Sequence, residues 1–465
     1  MMKNYDVIVI GSGPGGYVAA VRAAQQGLKT AIVEKDKRLG GTCLLRGCIP
    51  TKSLLHSADL LESLRHAKDH GIVAGEVGFD FGGVQKARET QVTKGAAGVQ
   101  YLMKSNKIDV VAGHGRLKDR NTVVVKTEGG QETLTAKSII LATGSVPRHI
   151  PSIKIDGKSF VTSDEILELK KVPKSLIVLG AGAVGVEFAS VYTRFGAKVT
   201  VVEMQDALVP VEDADVSKEF ERLFKKRGIA SYTGTKLEKA EVKGGEVVAT
   251  LATKDKTWTE TAEMLLVAIG RAPVTQDIGL DAVGVNVDKG GYVEVDTLMR
   301  TSVPNIYAIG DIVRTPWLAH VASAEGIVAV DHMAGKAPHP LNYLQVPGCT
   351  YSDPEIGSIG LTERAAKEKG YTVKVGKFPF SAVPKARILG NTDGFVKIVS
   401  DAKYDEVLGV HIIGPHATDL VAEACVALRL ECTTEELAHT IHAHPTLSEG
   451  VLEAAHAAMG RPIHM

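Results

Sequence analysis

The 465-residue sequence has little of several features that mark particular classes of protein. Aromatic residues make up 5% of it, and 54 basic residues are balanced by 54 acidic ones. A nucleic-acid-binding protein needs a basic excess and, for single strands, aromatic platforms, so binding to nucleic acid is not expected. No apolar run approaches the roughly 20 residues that cross a bilayer, so binding to a membrane is not expected either.

Cysteine is also scarce, with five residues, two of which stand in the stretch GGTCLLRGCIPTK from Gly40 to Lys52. The chain begins MMKNYDVIVIGSG, without a signal or transit pattern, so a cytoplasmic protein is expected. Stable structural disulfides are rare in that compartment, so Cys43 and Cys48 are expected to be metal-binding or reactive. Zinc sites use further paired ligands that are missing here, and therefore no metal site is expected.

A reactive pair is favoured over a structural bridge, a metal site and two unpaired thiols. Residues five apart in a regular helix lie about 7.5 Å apart along the axis. A disulfide needs Cα atoms roughly 4.4–6.8 Å apart, so bridging Cys43 and Cys48 requires a distorted turn. Gly47 and Pro50 are suited to such a turn. The dispersed Cys349, Cys425 and Cys432 are predicted to be buried small apolar residues.

Two stretches of the sequence repeat one another at an offset of 169 residues (180 − 11). They are VIVIGSGPGGYVAAVRAAQQGLKTAIVEK from Val7 and LIVLGAGAVGVEFASVYTRFGAKVTVVEM from Leu176. Each reads as an apolar strand, a Gly-x-Gly-x-x-Gly turn, a helix and a second strand ending in an acid. The offset pairs Gly11 with Gly180, Gly13 with Gly182, Gly16 with Gly185, Gly27 with Gly196 and Glu34 with Glu203.

This pattern is typical of dinucleotide-binding folds. The first glycine permits a tight turn, the second lets the backbone approach a pyrophosphate, and the third lets the helix pack close to the strand. The acid accepts hydrogen bonds from ribose hydroxyls and repels a 2′-phosphate, so Glu203 favours NAD over NADP. Two different dinucleotides can pass electrons between them, and FAD with NAD is the natural pair.

The remaining sequence supplies further elements. In the stretch NIYAIGDI, Asp311 stands just after an apolar strand, where its carboxylate could meet flavin ribityl hydroxyls, although a turn or helix-capping role is the alternative. The stretches SIILATGS and MLLVAIGRAP also read as strands that end in glycine turns. Helices are predicted over 53–66, 82–105 and 214–227, antiparallel strands over 116–137 and 235–265, and an α+β unit after about residue 347 that ends in helix, turn, helix.

A dithiol that passes electrons to a flavin needs a group that takes and returns protons. Histidine suits this task near neutral pH. The stretch HAHPTLSEG, from His442 to Gly450, offers a histidine and, five residues on, a glutamate that can fix the tautomer.

These motifs together resemble the dihydrolipoamide dehydrogenase family of flavin-dependent pyridine nucleotide–disulfide oxidoreductases, over essentially the whole chain. GGTCLLRGCIPTK is similar to the family's redox-disulfide motif and HAHPTLSE to its acid–base motif, while ATGS, AIGRAP and YAIGD also match. The resemblance implies an α/β fold with two Rossmann-like dinucleotide-binding domains and a C-terminal α+β dimerisation domain. The expected bounds are 1–148 for the FAD-binding domain, 149–268 for the NAD-binding domain, 269–345 for a central domain completing the FAD site, and 346–465 for the dimerisation domain.

The resemblance also implies a reaction. The expected enzyme is a homodimer that reoxidises dihydrolipoamide on lipoyl domains of 2-oxo acid dehydrogenase complexes or on the glycine cleavage H-protein, and reduces NAD⁺. Cys43 would exchange with the substrate, and Cys48 would lie against the flavin as the charge-transfer thiolate. His444, oriented by Glu449, would serve as acid–base for the cysteine pair of the other subunit. His442 is less favoured because the family's base directly precedes the proline.

The resemblance assigns cofactor-binding residues by position. Lys52 is expected near the reactive edge of the flavin, with Glu187 as the partner considered for it. The residues expected to hold FAD are Gly11, Gly13, Gly16, Glu34, Gly115, Thr143, Gly144, Ser145, Asp311 and, in the stretch WLAH, Leu318, Ala319 and His320. Those expected to hold NAD are Gly180, Gly182, Gly185, Glu187, Glu203 and Gly270.

Some questions stay open at this point. Arg46, between the cysteines, departs from many family members, and could lower a thiol pKa, contact a partner or be a solvated surface residue. A glutathione-reductase-like enzyme would need basic residues where Glu203 stands, and a mercuric-reductase-like one a C-terminal cysteine pair. A transhydrogenase of similar fold would lack the Cys43–Cys48 pair, and a purely lipoyl-domain-binding role is a further alternative.

Overall fold

The computed structural model describes residues 3–464, which form two compact units. The first unit comprises the chain up to residue 53 together with 85–148 and 271–343. The second comprises 54–84, 149–270 and the chain from 344 onward. Each unit contains one copy of the repeated glycine motif. The bounds of the four predicted domains stay a prediction.

The helices of the described residues follow the sequence patterns with small shifts. They are α1 (Pro14–Gln25), α2 (Gly41–Arg46), α3 (Cys48–Arg65), α4 (Phe81–Ser105), α5 (Ser163–Ile166), α6 (Ala183–Arg194), α7 (Ala214–Lys226), α8 (Leu280–Val283), α9 (Ala319–Met333), α10 (Glu363–Glu368), α11 (Pro384–Ile388), α12 (Ala417–Arg429), α13 (Thr434–His439) and α14 (Glu449–Ala458). Short 3₁₀ turns cover Ala67–His70, Gly310–Ile312, Tyr343–Gln345 and Phe380–Ala382. Across residues 3–464, no helix combines the length and the apolar character needed to cross a bilayer.

The strands are short, as in most globular folds. They are β1 (Lys3–Ile10), β2 (Thr30–Glu34), β3 (Asp109–Ala112), β4 (His114–Asp119), β5 (Thr122–Thr127), β6 (Gly130–Leu141), β7 (Ser145–Pro147), β8 (Phe160–Val161), β9 (Ser175–Leu179), β10 (Lys198–Val202), β11 (Ala230–Tyr232), β12 (Lys236–Lys243), β13 (Glu246–Ala252), β14 (Thr257–Ala262), β15 (Met264–Val267), β16 (Arg271–Pro273), β17 (Ile306–Ala308), β18 (Gly348–Thr350), β19 (Glu355–Gly360), β20 (Val373–Pro379), β21 (Phe395–Asp401) and β22 (Val407–Gly414).

The first unit is built on a seven-stranded sheet in the order β3-β2-β1-β6-β5-β4, with β17 also paired to β6. Strand β1 runs parallel to both of its neighbours, β2 and β6. Such central strands are covered on both faces, which is why they read as apolar runs rather than alternating patterns. The antiparallel pairing predicted over 116–137 is confirmed by β4, β5 and β6. A two-stranded ladder of β7 and β16 completes this unit's sheets.

The second unit combines three sheets. One is five-stranded and parallel, in the order β11-β10-β9-β15-β8, and carries the second glycine motif. Another is the antiparallel hairpin sheet β12-β13-β14, and the third is the antiparallel sheet β18-β19-β22-β21-β20, against which α12 and α14 pack. The α+β character predicted after residue 347 is therefore confirmed.

Three element predictions need correction. The antiparallel region predicted to reach residue 265 ends with β14, because β15 joins the parallel sheet beside β9. The C-terminal pattern contains the extra short helix α13 between α12 and α14, capped by Thr433. The helix predicted to start at Ser53 begins at Cys48, because Pro50 falls in the first turn, where its missing N–H costs no hydrogen bond.

A buried lysine ties α7 to the C-terminal sheet of the second unit. Lys397, on β21, is 2% exposed, and its Nζ lies 2.8 Å from Asp213, 3.0 Å from Asp215 and 2.8 Å from Glu363. Burial opposes ionisation of Asp213, but hydrogen bonds from Lys397 and the Glu363 amide outweigh it and lower the pKa of Asp213. The lysine charge is thus balanced by Asp213 and Asp215 at the start of α7 and by Glu363 on α10.

Replacing this lysine leaves the buried carboxylate of Asp213 without its cation. We expect Lys397→Met to lower the free energy of unfolding by about 3–5 kcal/mol, measured by urea denaturation followed by circular dichroism. Because the pKa of Asp213 is lowered in the fold, its stabilisation is present above the unfolded value of about 4 and is lost as the pH falls through the lower value of the folded protein. The difference in unfolding free energy between wild type and variant should therefore narrow as the pH falls from about 5 towards 3.

The matched control is Lys369→Met, at an exposed lysine of the same unit. It is expected to change the unfolding free energy by less than about 0.5 kcal/mol. Equal effects of the two substitutions would contradict a special role for Lys397.

Candidate active site

The two close cysteines form a disulfide at a break between two helices. Helix α2 ends at Arg46, Gly47 adopts a non-helical conformation, and α3 begins at Cys48. The break brings the Cα atoms of Cys43 and Cys48 to 4.7 Å, within the range of a disulfide. A Cβ at residue 47 would lie only 3.0 Å from the Thr42 oxygen, so this position has little room for a side chain.

The disulfide segment lies against the first glycine turn. A Cβ built on Gly41, which has φ +60°, would overlap the backbone of Gly13, so only glycine fits this contact. Farther along α2, Leu44 fills space left by the absent side chain of Gly95 on α4. Arg46 forms an ion pair with Asp36 at the surface of this unit.

Both glycine turns end in an open helix N-terminus. Gly13 caps α1 and Gly182 caps α6, and neither helix has a side-chain cap. A Cβ built at Gly13 or Gly182 meets nothing within 4 Å. No side chain fills the N-terminus of either helix, and the space beside Gly13 and Gly182 fits the pyrophosphate of a dinucleotide.

The other glycines of the two turns are required by close packing. A Cβ at Gly16 would overlap the oxygen of Gly11, and a Cβ at Gly185 would overlap the oxygen of Gly180. Each helix therefore rests directly on the turn after its strand. Gly11 and Gly180 also donate equivalent hydrogen bonds of 2.8 Å to the strand beside them, at residues 33 and 202.

The acid at the end of the second strand supports each glycine turn. Glu34 accepts hydrogen bonds from the amides of Ser12 and Asp36, both at 2.8 Å. In the second copy, Glu203 accepts the equivalent bonds from Ala181 at 2.7 Å and Gln205 at 2.8 Å. A carboxylate has about four acceptor positions, so both acids keep capacity for ribose hydroxyls.

The two copies differ at one side chain beside the acid. The Ser12 hydroxyl donates to Glu34 at 2.6 Å and accepts the amide of Gly40 at 3.1 Å. Ala181 stands at this position in the second copy and has no hydroxyl. In the first unit, therefore, one side chain links the glycine turn, the acid and the disulfide segment.

Asp311 lies beside the ladder of β7 and β16. Its carboxylate accepts a hydrogen bond from the Ser145 hydroxyl, which in turn accepts one from Arg271 at 2.7 Å. Thr143 donates to the oxygen of Val274 at 2.6 Å, which joins the same two segments. The structure thus brings the predicted Ser145 into contact with the predicted Asp311.

The remaining predicted FAD positions are placed on nearby elements of the first unit. Leu318 caps α9 without a side-chain hydrogen bond, and Ala319 and His320 form its first turn. Gly115 is buried in β4, where a Cβ would crowd Val33 and Ile10 at the carboxyl ends of β2 and β1. Lys52 lies half-buried on α3.

In the second unit, Glu187 is buried on α6 near the glycine turn. One carboxylate oxygen accepts the amide of Tyr351 at 3.0 Å. Gly270 follows β15, and a Cβ there would meet nothing within 4 Å, as at Gly182. The pairing of Lys52 with Glu187 stays a prediction.

His444 and Glu449 form a hydrogen-bonded pair at the start of α14. Nδ1 of His444 donates to Glu449 at 2.7 Å, and the other oxygen of Glu449 accepts the amide of Thr446 at 2.9 Å. Burial opposes ionisation of Glu449, but these bonds outweigh it and lower its pKa. The His444 side chain is 66% exposed, and its Nε2 has no hydrogen-bond partner among residues 3–464. That nitrogen is therefore available to a proton donor or acceptor.

His442 is held differently. Its Nε2 donates to Glu423 at 2.6 Å and its Nδ1 to the oxygen of Thr440 at 2.8 Å, and its side chain is 5% exposed. The hydrogen bond to Glu423 raises the pKa of His442, against the effect of burial. Because both ring nitrogens are engaged, His442 is unsuited to move protons.

The other three cysteines lie in the second unit. Cys349, Cys425 and Cys432 form no disulfide and are half-buried against the C-terminal core, rather than buried as predicted. Within residues 3–464, no group of three or more histidine, cysteine, aspartate or glutamate side chains is arranged to hold a metal ion.

Comparison with known proteins identifies the family. The pyridine nucleotide-disulphide oxidoreductase family matches residues 5–326, and the dimerisation domain of these oxidoreductases matches residues 346–455. The chain belongs to this family. The predicted α/β fold with a C-terminal dimerisation domain is thereby confirmed.

Individual relatives of this oxidoreductase match over most or all of their length. The chain is 49% identical to dihydrolipoyl dehydrogenase of Bacillus subtilis and 45% identical to that of Rhizobium etli, covering 100% of both chains in each case. It is 42% identical to leghemoglobin reductase of Vigna unguiculata, over 98% of this chain and 88% of that one. The crystal structure of LpdA from Mycobacterium tuberculosis matches with a TM-score of 0.90 at 30% identity, over 97% of this chain and 99% of that one.

Several residues that shape the oxidoreductase site could not be predicted from the sequence. Arg271 donates a hydrogen bond to Ser145, 126 residues away in the sequence. The amide of Tyr351 donates one to Glu187, 164 residues away. Neither belongs to a local pattern, because each partner is brought close only by the fold. Ser12 could have been found from the sequence, because it is a serine where the aligned position of the second copy is Ala181.

The two kinds of glycine in the second motif can be separated by substitution. Gly185→Ala forces a methyl group against a backbone oxygen and is expected to lower the free energy of unfolding by about 1–3 kcal/mol. Gly182→Ala meets open space, so its stability should stay within about 0.5 kcal/mol of wild type. Its dissociation constant for NADH should rise about tenfold or more, because the methyl group stands where the pyrophosphate approaches.

Denaturation and fluorescence titration with NADH measure the two effects. A Gly182→Ala protein that binds NADH as wild type does would contradict the assignment of this turn to the nucleotide.

Proposed function

We propose that this oxidoreductase is a dihydrolipoyl dehydrogenase. It oxidises the dithiol of protein-bound dihydrolipoamide to the disulfide of lipoamide and reduces NAD⁺ to NADH, with release of one H⁺. The observation that carries this proposal is the Cys43–Cys48 disulfide placed against a glycine turn with an open helix N-terminus. The full-length identity of 49% and 45% to two dihydrolipoyl dehydrogenases supports the same substrate.

The position of the cysteines supports a division of labour. Cys48 is the first residue of the 18-residue helix α3, whose N-terminus stabilises a thiolate. Cys43 lies in the first turn of the six-residue helix α2, whose shorter length gives a smaller dipole. A substrate thiolate therefore attacks the Cys43 sulfur, the disulfide bond breaks, and Cys48 leaves as the stabilised thiolate. The second substrate thiol then displaces Cys43 and releases lipoamide.

His444 is the group that takes the substrate proton. Glu449 fixes its Nδ1–H, so Nε2 is the basic atom, and the carboxylate stabilises the imidazolium that forms. Residues 346–455 match a dimerisation domain, and we place His444 and Glu449 at the disulfide of the partner subunit of a homodimer.

Two dinucleotides complete the site. When bound, FAD would supply two-electron transfer between the reduced cysteine pair and NAD⁺. The turn at Gly11, Gly13 and Gly16 would hold the FAD pyrophosphate, and Glu34 its ribose. Gly180, Gly182, Gly185 and Gly270 would take NAD in the same way, with Glu203 at its ribose. The other residues assigned to FAD are Gly115, Thr143, Gly144, Ser145, Asp311, Leu318, Ala319 and His320, while Lys52 lies near the reactive edge and Glu187 near NAD.

The partners are proteins that carry lipoyl groups. We assign the chain to 2-oxo acid dehydrogenase complexes or to the glycine cleavage H-protein, in the cytoplasm. One reducible disulfide, with the other three cysteines outside any disulfide, suits a reducing compartment.

The order of the two cysteines can be tested by absorption spectroscopy. Anaerobic addition of dihydrolipoamide to the purified yellow protein should produce the long-wavelength band of a thiolate in contact with flavin. Cys43→Ser leaves Cys48 as a free thiol and should show the band without substrate, whereas Cys48→Ser should never show it. No band in the wild type would refute the proposed function, and a band in Cys48→Ser would reverse the assigned order.

The base can be tested by comparing two histidines. His444→Gln is expected to lower kcat by about 10²–10⁴, the range of general acid–base catalysis. His442→Gln breaks the hydrogen bond with Glu423, and should lower the melting temperature while changing kcat less than about tenfold. Steady-state oxidation of dihydrolipoamide and thermal unfolding give both values. If His442→Gln loses as much activity as His444→Gln, the assignment of the base is wrong.

A further inference from the structure

Glu325 is a buried carboxyl group to which the proposed mechanism gives no task. It lies on α9 and is 0% exposed. One oxygen accepts the amide of Gly310 at 2.7 Å, and the other accepts the hydroxyl of Tyr343 at 3.0 Å. Neither partner carries a positive charge, so the burial of this group is not offset by an ion pair with either of them.

The surroundings of Glu325 disfavour its charge. Burial raises the pKa of Glu325, and the nearby carboxylate of Asp311 raises it further. A side chain that only filled space here would be more stable as an apolar residue of the same length. The hydrogen bonds that Glu325 accepts are therefore the feature to explain.

The first of these bonds fixes the backbone next to Asp311. Gly310 precedes Asp311 in a 3₁₀ turn after β17 and has φ +71°, a conformation that other residues rarely adopt. Glu325 holds the amide of this glycine, while the Ser145 hydroxyl holds the Asp311 side chain. Asp311 is thus fixed through its backbone and through its carboxylate.

The helix that carries Glu325 is itself fixed against α1. A Cβ built on Gly326 would lie 2.9 Å from the oxygen of Gly15 and 3.1 Å from the Cβ of Ala19. Helix α9 therefore packs on the helix whose N-terminus follows the first glycine turn. Because α9 is fixed on α1 and its Glu325 binds the Gly310 amide, the turn of Asp311 is held at a fixed distance from α1.

We propose that Glu325 is a positioning residue for the flavin dinucleotide, which sets the Gly310–Asp311 turn at a fixed place relative to α1. One ligand can then meet both the glycine turn and Asp311. This inference rests on the proposed function, in which both elements hold FAD, and it adds a residue that the sequence motifs do not contain.

Substitutions at Glu325 separate its hydrogen bond from its bulk. Glu325→Gln keeps an oxygen for the Gly310 amide, while Glu325→Met has similar length and no comparable acceptor. Tyr343→Phe removes the hydrogen bond from Tyr343 and leaves the bond from the Gly310 amide in place. We expect the dissociation constant of FAD to rise about tenfold or more in Glu325→Met, and less than about threefold in Glu325→Gln and in Tyr343→Phe. Titration of the apoprotein with FAD, followed by flavin fluorescence, measures these constants.

A second readout excludes general destabilisation. Heating at one rate gives the temperature of flavin release by fluorescence and the temperature of unfolding by circular dichroism. In Glu325→Met the release temperature should fall further than the unfolding temperature. If both fall equally, or if Glu325→Gln behaves as Glu325→Met does, the inference is overturned. Where Glu325→Met does not fold, Glu325→Asp replaces it, because its shorter side chain no longer reaches the Gly310 amide.

A double variant tests whether Glu325 acts through Asp311. In an Asp311→Asn background, Glu325→Met should raise the FAD dissociation constant by less than about threefold, because the positioned carboxylate is gone. A further tenfold rise of the FAD dissociation constant in this background would show that Glu325 does not act through Asp311. A wild type purified without flavin would overturn the proposed function and this inference together, while a flavin-containing wild type with unaffected variants would overturn this inference alone.

Discussion

The structure depends on two places where a helix touches the turn before it without a side chain between them. At Gly16 and Gly185 any Cβ would overlap a backbone oxygen, so the helices α1 and α6 rest directly on their turns. Beside this contact, a Cβ at Gly13 or Gly182 would meet nothing within 4 Å, and neither helix has a side-chain cap. Because no side chain occupies these helix N-termini, each turn suits a phosphate group. In the first unit the disulfide segment is then placed against the same turn through Gly41.

The reactive pair follows from a second constraint, the interruption of a helix. A continuous helix would hold Cys43 and Cys48 too far apart and on different faces. The break at Gly47 brings them together and at the same time starts α3 at Cys48. The break at Gly47 thereby allows the disulfide to form and places Cys48 where a helix N-terminus stabilises its thiolate. The chemistry of the pair is asymmetric because the helices on its two sides have different lengths.

Much of this arrangement could be predicted from the sequence, because its signals are local. The repeated glycines with their acids, the spacing of the cysteines and the histidine–glutamate pair of α14 all lie within stretches of about 30 residues. Contacts between distant segments could not be predicted. Glu325 meets Gly310 and Tyr343, Lys397 meets Asp213 across 184 residues, and no periodicity in the sequence marks these partners. The start of α3 was also predicted wrongly, at Ser53 rather than Cys48. A proline is tolerated in the first turn of a helix but disrupts its interior, so the role of Pro50 depends on where the helix starts.

The hydroxyl of Ser12 distinguishes the two copies of the glycine segment. The copies share their spacing and equivalent backbone hydrogen bonds. Alanine stands at this position in the second copy, so that turn has no hydroxyl to offer. In the first copy the Ser12 oxygen reaches Gly40, so the nucleotide turn and the redox segment share a hydrogen bond. One atom thus couples the cofactor end of the first unit to its disulfide, and exchanging serine and alanine between the copies would measure how strongly the redox segment depends on that coupling.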